Sequence, residues 1–147
     1  MIHTILEKKQ FSKDVFYLRV AAPEIARQRK AGQFVIIQLD VDYGERIPLT
    51  IADADPSEGW IALVVQAVGA TTIKLCQKNV GEAIATILGP LGNPTHIEKV
   101  GKVVCVGGGI GTAPLHPIAQ AYKRAGNEVI IIIGGRTKEL VIFEEEM

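Results

Sequence analysis

Val103-Val104-Cys105-Val106-Gly107-Gly108-Gly109-Ile110-Gly111-Thr112-Ala113-Pro114 is the stretch whose reading decides the fold. A β-branched run ends in glycines, and the residues after it change period: within 113–125, Leu115, Ile118, Ala119 and Tyr122 share one helical face. The spacing predicts a strand over 102–106, a glycine turn over 107–111 and a helix opening on that turn. Glycines let a ligand approach the backbone, and the unpaired N–H groups and dipole of a helix start favour a phosphate. Pro114 suits the first helical turn, where a missing N–H costs nothing. The third glycine of the dinucleotide fingerprint is absent, because Thr112 and Pro114 stand in that region. Gly108, Gly109, Gly111, Thr112 and Pro114 are therefore candidate nucleotide contacts, and a tight strand-to-helix turn without a ligand is the alternative.

Downstream, Gly126-Asn127 stops the helix, and 129–133 is an apolar run without alternation, as expected of a parallel strand covered by helices on both faces. A doubly wound domain needs a sheet of about five strands, and only two are readable here. Residues 99–147 thus read as the first half of a Rossmann-like α/β domain, with Val141-Ile142-Phe143 near an uncovered edge. The chain is expected to be the front portion of a longer protein, and the half-finished sheet to self-associate at 129–133.

Upstream, Gly89-Pro90-Leu91-Gly92-Asn93-Pro94 cannot continue a central strand and sets the domain boundary between 1–98 and 99–147. Residues 2–11, 14–22, 33–41, 47–53, 60–67 and 82–88 are strand candidates, enough for a small all-β, six-stranded antiparallel barrel that removes exposed edges. Asp42-Tyr43-Gly44-Glu45 is a plausible hairpin turn. At 72–78, Ile73, Cys76 and Gln77 recur at helical spacing.

Composition limits the function. The chain has 147 residues, the size of one ordinary domain or two small ones, and is 48% hydrophobic and 22% charged. Its 16 basic and 16 acidic side chains cancel, which argues against nucleic acid as a partner. No run approaches the roughly 20 apolar residues of a membrane span, and no basic-then-apolar leader is readable, so the expected location is the cytoplasm. Cys76 and Cys105 lack metal-binding spacing and read as buried thiols, while His3, His96 and His116 read as surface or boundary residues. No metal ligand and no acid or base catalyst is assigned.

Two further clusters carry chemistry. In Glu45-Arg46-Ile47-Pro48-Leu49-Thr50-Ile51, Pro48 suggests an edge or bend where a ligand replaces ladder pairing. Arg46 offers a guanidinium fork for phosphate and Thr50 a hydroxyl. A surface arginine beside an ordinary edge proline is the alternative. In Val64-Val65-Gln66-Ala67-Val68-Gly69-Ala70-Thr71-Thr72, a strand delivers Gly69 and two hydroxyls to a helix start, where Thr71 or Thr72 caps the helix or the N–H groups hold a pyrophosphate.

Gln33-Phe34-Val35 after Ala31-Gly32, then 46–50, 68–72, 89–92 and 107–114, appear in the order seen in ferredoxin-NADP reductase-like flavoproteins, a family the chain resembles along its whole length. The resemblance is strongest to the small FAD subunit of NADH-dependent ferredoxin-NADP oxidoreductase and to the electron-transfer subunit of dihydroorotate dehydrogenase. It implies an FAD-binding barrel followed by a nicotinamide nucleotide domain. The flavin ring is then expected against Pro48, Leu49 and Thr50 and against Val64, Val65 and Gln66, its pyrophosphate at Gly69, Thr71 and Thr72, and NAD(P)H at the glycine loop. The family pattern places its Arg three residues before the Ser or Thr, where this sequence has Ile47, and Arg46 stands one residue earlier. Arg136, after the second strand, is a candidate for an NADP 2′-phosphate or an ordinary surface arginine, so NAD and NADP both stay open.

The function so implied is electron transfer between a nicotinamide nucleotide and, through FAD and an iron–sulfur centre, a larger partner subunit or ferredoxin. The 2Fe-2S cluster is expected only in a full-length relative. Alternatives are the electron-transfer subunit of dihydroorotate dehydrogenase in pyrimidine synthesis, or a truncated flavin-binding module without catalysis.

Overall fold

The computed structural model describes residues 2–42 and 44–147. β1 (His3–Ser12) and β2 (Val15–Ala21) form a hairpin, and α1 (Pro23–Gln28) follows with Pro23 in its first turn. Then come β3 (Phe34–Gln38), β4 (Ile47–Asp55), β5 (Trp60–Gln66), α2 (Ala70–Gln77), β6 (Ala83–Ile84) and β7 (Thr86–Leu91). These strands form one antiparallel sheet in the order β6-β1-β2-β5-β4-β3-β7. The expected turn at Asp42-Tyr43-Gly44-Glu45 includes Tyr43, which lies outside the described residues.

The two ends of that order are consecutive in the chain. Ile84 pairs with His3 of β1, Thr86 pairs with Gln38 of β3, and the intervening Ala85 N–H donates to the Leu39 carbonyl at 3.3 Å. The sheet therefore curls into a nearly closed barrel. This corrects the six-strand expectation: the segment predicted as one strand over 82–88 is two strands, because the chain changes partner at Ala85. β7 also runs through Pro90 to Leu91, past the expected stop. A register shift between the Ile36↔Leu88 and Phe34↔Leu91 pairs places Pro90 in a bulge, where the ladder does not need its N–H.

Alternation fixes what fills the barrel. Leu18, Val20, Val35, Ile37, Ile51, Ile61, Leu63 and Val65 point inward and are buried, with Leu75 of α2 and Ile84 packed among them. Each such side chain stabilises the fold by roughly 1.5–3 kcal/mol relative to exposure.

β8 (Lys102–Gly108) and β9 (Glu128–Gly134) form a parallel pair, in register from Lys102↔Glu128 to Gly108↔Gly134. A 3₁₀ turn at Gly109–Gly111 leads into α3 (Thr112–Arg124). Asn127 does more than end that helix. Its Oδ1 accepts the Val100 and Gly101 N–H groups at 2.7 and 2.9 Å, and its Nδ2 donates to the Glu98 and Tyr122 carbonyls, so it fastens the segment leading into β8.

Three expectations fail here. The parallel pair is covered on one face only among the described residues: Cys105 is buried, whereas Val104, Val106, Ile130 and Ile132 on the opposite face are exposed. The segment after a 3₁₀ turn at Lys138–Leu140 is covered rather than left at an open edge. Ile142 and Phe143 are buried against the outside of the barrel, the Phe143 ring lying edge-on to Phe11 and Tyr17 with centroids 5.1 and 6.0 Å away. The barrel wall presents apolar side chains there, and burying an aromatic on them is more favourable than leaving it in water. His3 and His116 are likewise buried, each with Nδ1 2.8 Å from a backbone carbonyl, of Ala21 and Ala52 respectively, while His96 is exposed.

Candidate functional site

β4 and β5 part company at the Ile51↔Leu63 pair. Continuing that register would set Thr50 against Val64, Leu49 against Val65 and Pro48 against Gln66, yet these residues pair elsewhere. Residues 47–50 pair only with β3, through Ile37↔Ile47 to Phe34↔Thr50, and residues 64–66 only with β2, through Tyr17↔Val64 to Val15↔Gln66, with the Gln66 carbonyl also accepting the Val68 N–H at 2.9 Å. Each strand thus turns an unpaired backbone edge toward the gap, and those edges require hydrogen-bond partners from outside the ladder. Pro48 favours the split because it has no N–H to give. The Val64 and Val65 side chains are buried, so only their main chain reaches the gap; Gln66 is exposed.

The start of α2 is tied to the approach to β4. The Thr71 hydroxyl donates to Glu45 Oε2 at 3.1 Å, and exposed Arg46 donates from Nε to Gln38 Oε1 at 3.3 Å. Thr72 is spent on the helix start: its Oγ1 accepts from the Val68 and Gly69 N–H groups at 3.1 and 2.9 Å and its hydroxyl donates to the Gly69 carbonyl. The first intrahelical bond runs from Ile73 N–H to the Gly69 carbonyl, leaving the N–H groups of Ala70, Thr71 and Thr72 without intrahelical acceptors.

A cavity of about 540 Å³ opens where the barrel meets the glycine loop, within the size range of small-molecule sites. Gln66, Ser12 and Val15 form its barrel side; Gly108, Gly109 and Arg136 form the other. The glycines divide by role. A Cβ on Gly107 would stand 2.8 Å from Leu115 Cδ2 and 3.3 Å from Thr112 Cα, so that glycine serves the contact of helix with strand. A Cβ on Gly109, whose φ is +54°, or on Gly111 or Gly134 would meet nothing. Thr112 is buried, its Oγ1 without a hydrogen-bond partner among the described residues, and neither it nor Pro114 lines the cavity.

The structure therefore gathers the candidates into two groups joined at Gln66. Pro48, Leu49, Thr50, Val64 and Val65 border the strand gap, with Arg46, Gly69, Thr71 and Thr72 at its approach, and Gly108, Gly109 and Arg136 surround the cavity. Ser12, Val15 and Ile142 also line the cavity and were not foreseen; nothing in a hairpin turn or a C-terminal apolar triplet signals it. Both thiols are buried, and burial pushes Cys76 and Cys105 above the usual thiol range, against the nearby Lys8 in the case of Cys76. No group of three or more metal-ligating side chains occurs among the described residues.

A nearly closed antiparallel barrel with a split between two strands, followed by a strand, glycine loop and helix, is the fold of ferredoxin-NADP reductase-like flavoproteins, and the chain is similar to proteins of that class. It is 45% identical over 145 residues to a dihydroorotate dehydrogenase B (NAD(+)) electron transfer subunit homolog of Thermotoga maritima, covering 99% of this chain and 51% of that protein. It is 30% identical over 148 residues to the dihydroorotate dehydrogenase B (NAD(+)) electron transfer subunit of Bacillus caldolyticus, covering 97% and 57%. Among solved structures, that of the NADH-dependent reduced ferredoxin-NADP oxidoreductase, a study of flavin-based electron bifurcation, matches with a TM-score of 0.94 and 44% identity over 99% of this chain and 52% of that one. No protein-family model matches. The chain spans about half the length of the curated relatives it matches.

Proposed function

We propose that the protein is an FAD-dependent electron-transfer subunit, an oxidoreductase component that passes electrons between a nicotinamide nucleotide and a larger partner subunit in the cytoplasm. The observation that carries this reading is the cavity in which Gln66, at the end of the split barrel strands, faces Gly108, Gly109 and Arg136. In this reading residues 1–98 hold the flavin and 99–147 begin the nucleotide unit.

The residues fit both groups. The unpaired edges of 48–50 and 64–66 offer main-chain donors and acceptors to a flat heteroaromatic ring, with the Thr50 hydroxyl beside them. The open N–H groups of Ala70 and Thr71 and the Arg46 guanidinium suit a pyrophosphate. Open space before Gly109 and Gly134 admits a nucleotide backbone, and Arg136 stands ready for its phosphate or ribose. FAD, when bound, supplies the step between two-electron hydride chemistry and single-electron transfer. The chain's own task is orientation, and it needs no acid or base for that. Cys76 and Cys105 are buried separately and belong to no group of metal-ligating side chains among the described residues, so this reading gives them no part in holding an iron–sulfur centre.

The test is the visible spectrum of the purified protein, identification of the flavin released on denaturation, and reduction of that flavin by NADH and NADPH with an artificial acceptor. Bound FAD reduced by either nucleotide is expected. A colourless protein that takes up no added FAD would overturn the reading. The 45% identity to a dihydroorotate dehydrogenase B subunit homolog favours, as a second reading, dihydroorotate oxidation as the partner's reaction. Co-purification with a dihydroorotate-oxidising subunit would decide for it.

A further inference from the structure

The protein has no net charge, yet its basic side chains are not evenly spread. A cavity of about 570 Å³ lies between α1, the segment at 94–97 and α3, and it shares no lining residue with the cavity at the glycine loop. Arg27, Arg29, Lys30 and Arg124 line it, with exposed His96 at the rim, and no carboxylate does. Alanine and proline side chains make up most of the remaining wall.

Arg29 is the informative member. Its side chain is only 10% exposed, and its ion pair with Asp53 is loose. The nearest carboxylate, Asp53 Oδ1, is 4.0 Å from Nη2, beyond hydrogen-bond range, and already accepts the Ala54 N–H at 2.8 Å. Burial and the charge of Arg124 both oppose protonation of Arg29, with Asp53 in partial compensation. The guanidinium nitrogens are open to the cavity and have no bonded acceptor among the described residues, and a planar fork facing a cavity is suited to an oxyanion. The walls come from both sheets' surroundings: the Thr95 N–H donates to the Ala31 carbonyl at 2.9 Å, fixing one side to the barrel, while Arg124 comes from the end of α3.

We propose that this cavity is a second ligand site, one that takes a small polyanion bearing phosphate or carboxylate groups. Arg29 forms its floor and pairs with one oxyanion; Arg124, Arg27 and Lys30 hold the remaining charge at the mouth. The occupied site links the barrel to α3.

Calorimetric titration of the purified protein at low ionic strength tests this, with inorganic pyrophosphate and, separately, citrate as probes. The proteins compared are the natural sequence, Arg124→Glu, Arg29→Gln and Gly134→Val. Expected, in the flavin-loaded protein, are a saturable site for at least one probe, a loss of its affinity of roughly tenfold or more in both arginine variants, and no change of that site in Gly134→Val, which narrows only the other cavity. Arg124 is exposed at a helix end, so its replacement reads the site even where Arg29→Gln fails to fold. Preference for pyrophosphate assigns a phosphate ligand, and preference for citrate a polycarboxylate. Absence of saturation up to about 10 mM of either probe, undiminished binding in Arg124→Glu, or loss in Gly134→Val alone would overturn the proposal.

Discussion

The His116 Nδ1–H donates to the Ala52 carbonyl at 2.8 Å, joining the middle of α3 to the wall of the barrel. A register shift between Ile51 and Asp53 takes Ala52 out of the β4–β5 ladder, next to the point where the strands separate. One bond thereby ties the helix behind the glycine loop to the strand beside the gap. Phe143 packs on the same imidazole, with ring centroids 5.0 Å apart.

Replacing His116 with Ala leaves that buried carbonyl unpaired and opens space under Phe143. The expected loss of stability is about 1–3 kcal/mol. Urea unfolding should show a lower midpoint with an unchanged slope. An unchanged midpoint would mean that the bond adds nothing to the joint.

Gly107 lies opposite Ile133 and Gly134 opposite Gly108, one register step apart across β8 and β9, yet their substitutions should act in opposite ways. At Gly107 an added Cβ meets Leu115 2.8 Å away, so Gly107→Ala must push α3 off the strand and lower stability by about 1–3 kcal/mol. At Gly134 it meets nothing, so Gly134→Val should leave the unfolding midpoint nearly unmoved while filling the cavity and abolishing reduction by NADH or NADPH. Equal loss of stability in both variants would contradict this division.

Much of the barrel was legible because alternation of β-branched residues is a local signal, but where strands change partners is not. β3 ends at Gln38 rather than at 41 because the Leu39 carbonyl turns to Ala85, a residue far along the chain. The six residues of α1 are too few to display a helical period. Thr112 follows the glycines as a ligand-binding residue would, and only the tertiary packing of α3 reveals that it is buried. Val64 and Val65, expected against a flavin ring, border the gap, and β5 aims their side chains into the two cores, which one-dimensional spacing does not resolve.

Arg46 separates a binding role from a structural one. Its guanidinium is exposed and its one hydrogen bond among the described residues, to Gln38, is long, so Arg46→Gln should change stability by no more than about 0.5 kcal/mol. Loss of a charge-assisted bond to a pyrophosphate is worth about 1.5–3 kcal/mol, and flavin retention should fall by roughly tenfold or more. Fluorescence of released flavin on dilution measures this. Full retention in the variant would remove Arg46 from the site.

Asp55 makes stability depend on pH in the turn before β5. Its Oδ1 accepts the Ser57 hydroxyl at 2.6 Å and the Ser57 and Glu58 N–H groups at 2.9 and 3.1 Å, and these bonds, the hydroxyl first, hold the carboxyl below its usual range. A carboxyl whose folded pKa is depressed contributes stability above its unfolded pKa and loses it as pH falls through the folded value. Asp55→Asn should therefore be less stable than the natural sequence at about pH 7, and the difference should shrink toward about pH 3. Trp60, the single tryptophan, pairs with Asp55 across the hairpin and donates from Nε1 to Glu58 Oε2 at 2.9 Å, so its emission during urea unfolding reads the turn directly. A difference between the two proteins that stays constant across that range would show that the Asp55 charge has no part in holding the turn.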